Sequence, residues 1–145
     1  PIELGKAEVL SEGDDLTIAA VGSMTSVAWE AAKRLEEEGI RTCVINARFL
    51  KPIDAETILS RAQKSGKLIT IEENAQTGGF GEAVRAAIHE ANLDGKIEHK
   101  LRALPDHFIE HGAQPIIRNE CGLSADSLVE DAHKLLAEKK GVQRR

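Results

Sequence analysis

Short apolar runs alternate along the chain with longer segments whose apolar residues recur every three or four positions. Residues 16–21 form a nearly continuous apolar run, which is typical of a strand covered on both faces. Residues 25–38 follow, with Ser23 or Thr25 as the expected helix cap and Gly39 as its end. The apolar positions of this segment lie on one helical face: Ala28, Ala31, Ala32 and Leu35.

The same unit then repeats. Strands are predicted over 41–45, 67–71 and 99–104, and a shorter edge strand over 7–10. Asp54 is placed to cap the second helix and Gly66 to end it, Pro115 suits the first turn of a short helix, and Ser124 precedes the last one. Because strands alternate with helices, we expect a three-layer α/β/α fold with a mainly parallel sheet of about five strands and one antiparallel edge strand.

Composition excludes several classes of function. Acidic residues outnumber basic ones by 24 to 19, giving a net charge of −5, and there are four aromatic residues, so neither a nucleic-acid surface nor an anionic-membrane surface is expected. The cysteines, Cys43 and Cys121, lie far apart and predict no disulfide, which suits the cytoplasm. Pro1 in place of a methionine suggests that the chain is a fragment of a longer polypeptide.

Candidate chemistry gathers where the predicted strands end, since ligands of open α/β sheets collect at that edge. Three clusters lie there, namely 22–23, 46–49, and 72–74 with the glycine-rich loop 78–81. The loop precedes a helix and so offers N–H groups to an anion, but Glu72 and Glu73 would repel phosphate. We therefore interpret its glycines as allowing a tight turn and close packing.

A second motif, His107-Phe108-Ile109-Glu110-His111, formally matches the pattern of inverted zincins. Pro105 and Gly112 bound it too closely for the required helix, so a structured loop is the preferred interpretation. No group of residues combines a nucleophile, a base and an oxyanion site, so the chain resembles part of an enzyme more than a reaction centre.

Three motifs carry a resemblance to a known family. Residues 46–54 (NARFLKPID), 71–74 (IEEN) and 78–81 (GGFG) resemble the C-terminal domain of the transketolase superfamily. Residues 104–112 (LPDHFIEHG) resemble a segment found in its 1-deoxy-D-xylulose-5-phosphate synthases, and residues 2–7 resemble the linker that leads into this domain, with Ala7 a small departure. The resemblance spans residues 1–138.

The resemblance implies a transferase that joins pyruvate to glyceraldehyde 3-phosphate with loss of CO₂, in isoprene and thiamine biosynthesis. Thiamine diphosphate (thiamine pyrophosphate) and magnesium would be its cofactors, held by upstream catalytic domains absent from this chain. No catalytic, cofactor-binding or metal residue is therefore assigned here, and the fragment alone is expected to be inactive and to bind no cofactor.

The implied role of this piece is structural. We expect 1–10 to be a linker and first edge strand, 11–138 the transketolase C-terminal-like domain, and 139–145 a disordered basic tail. The domain would pack on preceding domains of the same polypeptide and support a homodimer, with no nucleic acid or membrane as partner. The protein would be cytoplasmic, or plastidial in a plant.

Four residues are candidates for the rim of an active site or for an interface: Arg48, Glu73, Asn74 and His111. For Arg48 the preferred interpretation is structural, with the guanidinium tied to a carboxylate such as Glu73 or Asp54. Alternatives for the whole chain are the same domain of a transketolase or of a 2-oxoacid dehydrogenase E1β subunit, a stand-alone binding or assembly module, and, least favoured, a zinc hydrolase.

Overall fold

A computed structural model describes residues 2–105 and 114–143, without the side chains of 114, 115, 117 and 138–143. Within this part of the chain strands and helices alternate as the sequence predicts. The strands are β1 (Glu8–Ser11), β2 (Leu16–Ala20), β3 (Thr42–Asn46), β4 (Lys67–Ala75) and β5 (Glu98–Leu104). The helices are α1 (Met24–Glu37), α2 (Ala55–Ser65), α3 (Phe80–Glu90), α4 (Gln114–Glu120) and α5 (Ala125–Gln143).

The strands form one sheet in the order β1-β3-β2-β4-β5. β2 lies at its centre and pairs in parallel with β3 and β4, and β4 pairs in parallel with β5. β1 pairs antiparallel with β3, and a bulge interrupts this pairing between Val9 and Ser11. The predicted mainly parallel sheet with one antiparallel edge strand is confirmed.

Helices cover both faces of the sheet. On one face α1 and α5 pack against Ile18, Val44 and Ile69. On the other, α2 and α3 pack against Ala19, Cys43 and the strands beside them. Successive strand residues therefore serve opposite layers, as the two-residue period of a strand requires, and the three-layer architecture is confirmed.

Two helix ends follow the expected chemistry. Asp54 caps α2, since its Oδ1 accepts a hydrogen bond from the Thr57 N–H at 3.2 Å. Its Oδ2 also accepts one from the Ala7 N–H at 2.9 Å, so this carboxylate fixes the segment that enters β1. Gly66 ends α2 with a φ of 72°, a conformation that glycine adopts without a steric cost.

Two other ends differ from expectation. Ser23 occupies the cap position of α1, but its side chain makes no capping hydrogen bond because its hydroxyl is used elsewhere, as described below. The basic tail predicted to be disordered from 139 onward is helical as far as Gln143. Extending an existing helix costs little per residue, and no proline stops it here. Arg144 and Arg145 lie outside the described residues.

A buried ion pair joins the last strand to the last helix. Arg102 donates from Nε and Nη2 to the two carboxylate oxygens of Asp131, both at 2.7 Å, and the Asp131 side chain is almost fully buried. Gly122, in the turn between α4 and α5, has a φ of 75°, and a Cβ there would lie 2.4 Å from Arg102 Nη1, so a larger residue would be strained and would displace the guanidinium from Asp131. This two-pronged contact holds α5 in register on the sheet.

Candidate functional site

The candidate site lies at the edge formed by the carboxyl ends of β2, β3 and β4 with the residues that follow them, called here the carboxyl edge. β4 continues to Ala75, four residues beyond the predicted end at Ile71, and so carries Glu72, Glu73 and Asn74 on the strand itself. Because consecutive strand residues face opposite layers, Glu72 and Glu73 enter different environments.

Glu72 is fully buried and fills the amino terminus of α3. Its Oε1 accepts the Phe80 N–H at 2.8 Å and its Oε2 accepts the Gly81 N–H at 2.6 Å. Burial raises the pKa of this carboxyl above its usual range, although the two backbone hydrogen bonds oppose the rise. The helix end that could have bound an external anion is thus occupied by the chain's own carboxylate.

The glycine-rich loop is shaped by this contact. A Cβ at Gly79 would lie 2.2 Å from Glu72 Oε1, and one at Gly81 would lie 2.5 Å from the Leu101 side chain. Gly78 has a φ of 73°, which allows the turn before α3. The interpretation of these glycines as enabling a tight turn and close packing is confirmed.

Glu73 lies on the other face, between α1 and α4. Its Oε2 accepts hydrogen bonds from the Ser23 hydroxyl at 2.7 Å and from Arg118 Nη2 at 2.8 Å. The Arg118 guanidinium holds the pKa of the Glu73 carboxyl below its usual range, with a smaller contribution from Ser23. Ser23, Glu73 and Arg118 form one polar cluster, called here the Glu73 cluster, which joins α1, β4 and α4.

Arg48 belongs to a different part of the carboxyl edge. Its Nη2 pairs with Glu8 Oε2 at 2.9 Å, not with either of the expected carboxylates. β2 separates β3 from β4, so the strand that leads to Arg48 lies two strand spacings, about 10 Å, from the strand that carries Glu73. Arg48 has a φ of 61°, an uncommon conformation for a residue with a side chain, and its N–H donates to Asn46 Oδ1 at 3.2 Å.

The other two candidates are not joined to this arrangement by any contact described. Asn74 is exposed near the end of β4. His111 lies outside the described residues, as does the zincin-like segment 107–111. Among residues 2–105 and 114–143, no three His, Cys, Asp or Glu side chains are grouped as metal ligands would be.

Arg118 is the residue of the Glu73 cluster that the sequence did not indicate. It lies 45 residues from Glu73, and no local pattern links the two positions. The sequence places Ser23 and Glu73 at the same edge of the sheet, with Ser23 as an expected helix cap, but it predicts no contact between them. The signal for that contact is their position at the ends of adjacent parallel strands.

Exposed apolar side chains accompany these polar groups. Ile2, Leu4 and Leu50 are 66%, 80% and 39% exposed. The segment that holds Ile2 and Leu4 runs beside the loop after β3, because a Cβ at Gly5 would lie 3.5 Å from the Pro52 side chain. Together they give the carboxyl edge an apolar patch, defined here as Ile2, Leu4 and Leu50.

The chemistry available at this edge suits contact more than catalysis. The Glu72 carboxyl accepts hydrogen bonds from the amino terminus of α3, and the Glu73 carboxylate is paired with Arg118, so neither is available as a general base. Two carboxyl groups at this edge would also repel the negative charges of a diphosphate. Cys43 lies near the start of β3, away from this edge, and burial raises the pKa of its thiol to about 11, which makes it a poor nucleophile.

Comparison with known proteins decides the family. The profile described as "Transketolase, C-terminal domain" matches residues 5–128. The chain belongs to the transketolase C-terminal domain family. This confirms the resemblance noted in the sequence. The residues of the carboxyl edge lie within the matched range and so belong to a transketolase C-terminal domain.

Individual relatives sharpen this assignment. The domain is 46% identical over 131 residues to 1-deoxy-D-xylulose-5-phosphate synthase of Desulforudis audaxviator, covering 90% of this chain and 20% of that protein. It is 44% identical over 138 residues to 1-deoxy-D-xylulose-5-phosphate synthase 1 of Geobacter sulfurreducens, covering 95% and 22%. The chain thus spans about a fifth of the length of these relatives.

A solved structure confirms the fold. It is described as a split gene transketolase, inactive beta4 tetramer, and it matches with a TM-score of 0.82 and 38% identity. The match covers 94% of this chain and 43% of that one. No helix within the part of the chain that the structure describes has the length and apolar character needed to cross a membrane.

Proposed function

We propose that this chain is the C-terminal domain of a 1-deoxy-D-xylulose-5-phosphate synthase. The complete enzyme would condense pyruvate with glyceraldehyde 3-phosphate and release CO₂, using thiamine diphosphate and magnesium. The observation that carries the proposal is the identity of 46% and 44% to two such synthases over nine-tenths or more of the chain.

The part that this domain plays is proposed to be structural. The carboxylates of the carboxyl edge are engaged by the chain's own donors, namely the amino terminus of α3 and Arg118. The apolar patch beside them suits a protein surface better than a charged substrate. The domain would pack on preceding domains of the same polypeptide and support a homodimer in the cytoplasm.

The cofactors are assigned to the other domains. Thiamine diphosphate supplies the carbanion chemistry when it is bound, and magnesium holds its diphosphate. Because Glu72 and Glu73 do not fit a diphosphate, this chain's residues would contribute packing, and the isolated chain would be inactive.

A turnover assay tests the activity. The complete polypeptide that carries this domain should release CO₂ from pyruvate only when glyceraldehyde 3-phosphate is present. Calorimetric titration of the isolated chain with thiamine diphosphate should show no binding at micromolar concentrations. Micromolar binding there would contradict the assignment of the cofactor to other domains.

The packing role has its own test. Leu4→Asp should lower the melting temperature of the complete protein but leave that of the isolated chain unchanged, since Leu4 is exposed in this domain. The isolated chain is the matched control for any effect inside the domain. Equal effects in both proteins would argue against packing through the apolar patch.

A second candidate function is that of a transketolase, favoured by the structural match at 38% identity. The complete polypeptide would then transfer a two-carbon unit from a ketose phosphate to an aldose phosphate. Supplying the ketose phosphate in place of pyruvate separates the two activities. The mass of the native polypeptide would test the remaining alternative, a stand-alone module, which requires a value near 15.7 kDa.

A further inference from the structure

The direction of β1 decides where the chain enters this domain. β1 is antiparallel to β3, and Glu8 is paired with Asn46, the last residue of β3. The amino end of β1 therefore lies at the carboxyl edge. Residues 2–7, which lead into it, are called here the entry segment. In the complete protein proposed above, the preceding domains connect through this segment and so meet the carboxyl edge first.

The entry segment follows a fixed path. The Lys6 N–H donates to the Glu3 carbonyl at 3.2 Å, and Gly5 between them has a φ of 75°, which a turn of this kind requires of its third residue. The Ala7 N–H donates to Asp54 Oδ2 at 2.9 Å, across 47 positions of the sequence. Ala7 also packs against the apolar core of the α2–α3 face. The six residues, which could span about 20 Å if they were free, are thus held by a turn and by a hydrogen bond.

Asp54 does more than a helix cap requires. One side-chain oxygen is enough to cap a helix, and serine, threonine and asparagine supply it equally well. Asp54 is 5% exposed, and its Oδ2 accepts hydrogen bonds from the Thr57 hydroxyl at 2.6 Å and from the Ala7 N–H. Burial alone would raise the pKa of this carboxyl, but the hydrogen bonds from Thr57 and Ala7 bring it below its usual value. The second oxygen is therefore a charged acceptor that ties the entry segment to α2.

A weaker contact holds the chain where the entry segment becomes β1. Arg48 Nη2 pairs with Glu8 Oε2 at 2.9 Å, and both side chains are partly exposed, so this ion pair contributes little by itself. The left-handed backbone of Arg48 is a conformation that persists only where the surrounding contacts hold it. Asp54 is thus the main anchor of the entry segment and the Arg48–Glu8 pair the lesser one. Together they are called here the entry clamp.

We propose that the entry clamp, with Asp54 as its main anchor, sets the direction in which the chain leaves β1 toward the preceding domains and so holds those domains against the carboxyl edge. Asp54 is a positioning residue in this role. Fixing a short connection confines the attached domain, which raises its effective concentration at the surface that it covers. The inference rests on the function proposed above in one respect, namely that other domains of the same polypeptide precede this one.

Three variants separate the anchor from the helix cap. In Asp54→Asn the Oδ1 still accepts the Thr57 N–H, whereas the amide nitrogen that replaces Oδ2 cannot accept the Ala7 N–H. Asp54→Ser also caps a helix, but its single oxygen on a short side chain cannot serve both groups, so it decides the test if Asp54→Asn does not fold. Thr57→Val is the matched control, because it removes the hydroxyl that shares Oδ2 and leaves the Ala7 hydrogen bond in place. Thermal melts verify that each variant is folded.

Trypsin measures the clamp directly, because Lys6 is exposed and the bond cleaved after it is the Lys6–Ala7 bond. In the 145-residue chain, the fragment that begins at Ala7 should form about tenfold faster from Asp54→Asn and Asp54→Ser than from the original chain, as expected when a hydrogen bond to a charged group is lost. Thr57→Val should be cleaved at the original rate. Equal rates for the original chain and both Asp54 variants would overturn the proposal, because Asp54 would then not hold Ala7.

Hydrogen exchange in the complete polypeptide tests the positioning. Backbone amides around Leu50, in the apolar patch, should exchange more slowly in the complete polypeptide than in the isolated chain, because the preceding domains cover them. This gain in protection should fall about tenfold in Asp54→Asn, measured against its own isolated chain, and should be unchanged in Thr57→Val. A gain that neither Asp54 variant reduces would overturn the positioning role.

The same measurements separate this inference from the function proposed above, since none of them depends on the reaction that the complete polypeptide catalyses. If the original complete polypeptide gains no protection around Leu50, the proposed packing fails and the positioning fails with it, whereas the trypsin rates still judge the clamp. If the gain and its loss in Asp54→Asn are both seen but the synthase reaction is not, the clamp stands and the assignment of the reaction fails.

Discussion

Glu72 and Glu73 are neighbours in the sequence, yet they lie on opposite faces of the sheet, where their surroundings shift their carboxyl pKa values in opposite directions. On the α2–α3 face, burial raises the pKa of Glu72 while two N–H groups of α3 hold it. On the α1–α4 face, Arg118 lowers the pKa of Glu73. Ionising Glu72 therefore costs stability as the pH rises, whereas ionising Glu73 adds stability above its usual pKa and this is lost on acidification. A pair of adjacent carboxylates is thus no evidence of a shared site.

The largest expected effect on stability comes from removing the Glu72 carboxyl group that accepts the N–H groups at the amino terminus of α3. Glu72→Ala removes both acceptors and leaves two buried N–H groups unmatched, which should lower the free energy of unfolding by about 3 kcal/mol. Urea denaturation measures the change. Glu82→Ala is the control on the same helix, since the hydrogen bond that Glu82 accepts from the Gly78 N–H is exposed, and it should cost below about 1 kcal/mol. Equal losses would show that Glu72 is not the anchor of this face.

A second effect on the same face depends on pH. His99 Nε2 contacts Thr70 Oγ1 at 2.7 Å, and burial, with a smaller effect of Arg85, lowers the pKa of His99 to about 4. The folded state binds fewer protons than the unfolded state, so stability is full above about pH 6.5 and is lost as the pH falls toward 4. Between about pH 7 and pH 5 the loss should be about 2 kcal/mol.

His99→Gln removes the titrating group while keeping a polar side chain beside Thr70. Denaturant unfolding at several pH values should show a shallower decline for this variant than for the original chain. Parallel pH profiles would mean that another group causes the acid sensitivity.

Arg48 allows a smaller test, at the end of β3. Its φ of 61° favours glycine, so Arg48→Gly and Arg48→Ala both lose the pair with Glu8 but differ in backbone strain. The alanine variant should be less stable than the glycine variant by about 1 kcal/mol in thermal or urea unfolding. If the two are equal, the left-handed conformation carries no cost here.

The smallest expected effect sharpens the account of Glu73. In Arg118→Gln the pKa of the Glu73 carboxyl should rise toward its usual value, and in Ser23→Ala it should rise less. NMR titration of the side-chain carboxyl carbon follows both. A Glu73 pKa that is unchanged in Arg118→Gln would remove the arginine as the cause.

The order and type of the elements could be predicted from the chain because each depends on local patterns. The apolar run of β2, the Asp54 cap and the glycine that ends α2 each act within a few residues. The end of β4 could not be placed in the same way. Glu72 reads as polar, but it is buried because α3 supplies N–H groups to it.

The side-chain pairings at the candidate site could not be predicted from the sequence for a different reason. Whether Arg48 meets Glu8 or Glu73 depends on β2 lying between β3 and β4, which no local pattern specifies. The same is true of Arg118, whose position depends on how α4 returns to the sheet. The location of the carboxyl edge followed from general rules of parallel sheets, whereas its contacts required the tertiary structure.

The close approach of Gly79 to Glu72 has an evolutionary consequence. Gly79 has φ of −89° and ψ of −171°, angles that any residue adopts, so space alone restricts this position. A Cβ at 79 would lie 2.2 Å from Glu72 Oε1 and also 2.6 Å from the Ala75 carbonyl oxygen, so loss of the carboxylate at 72 alone would not make room for a side chain. Position 79 should therefore stay glycine in descendants of this chain whether or not they keep the carboxylate at 72.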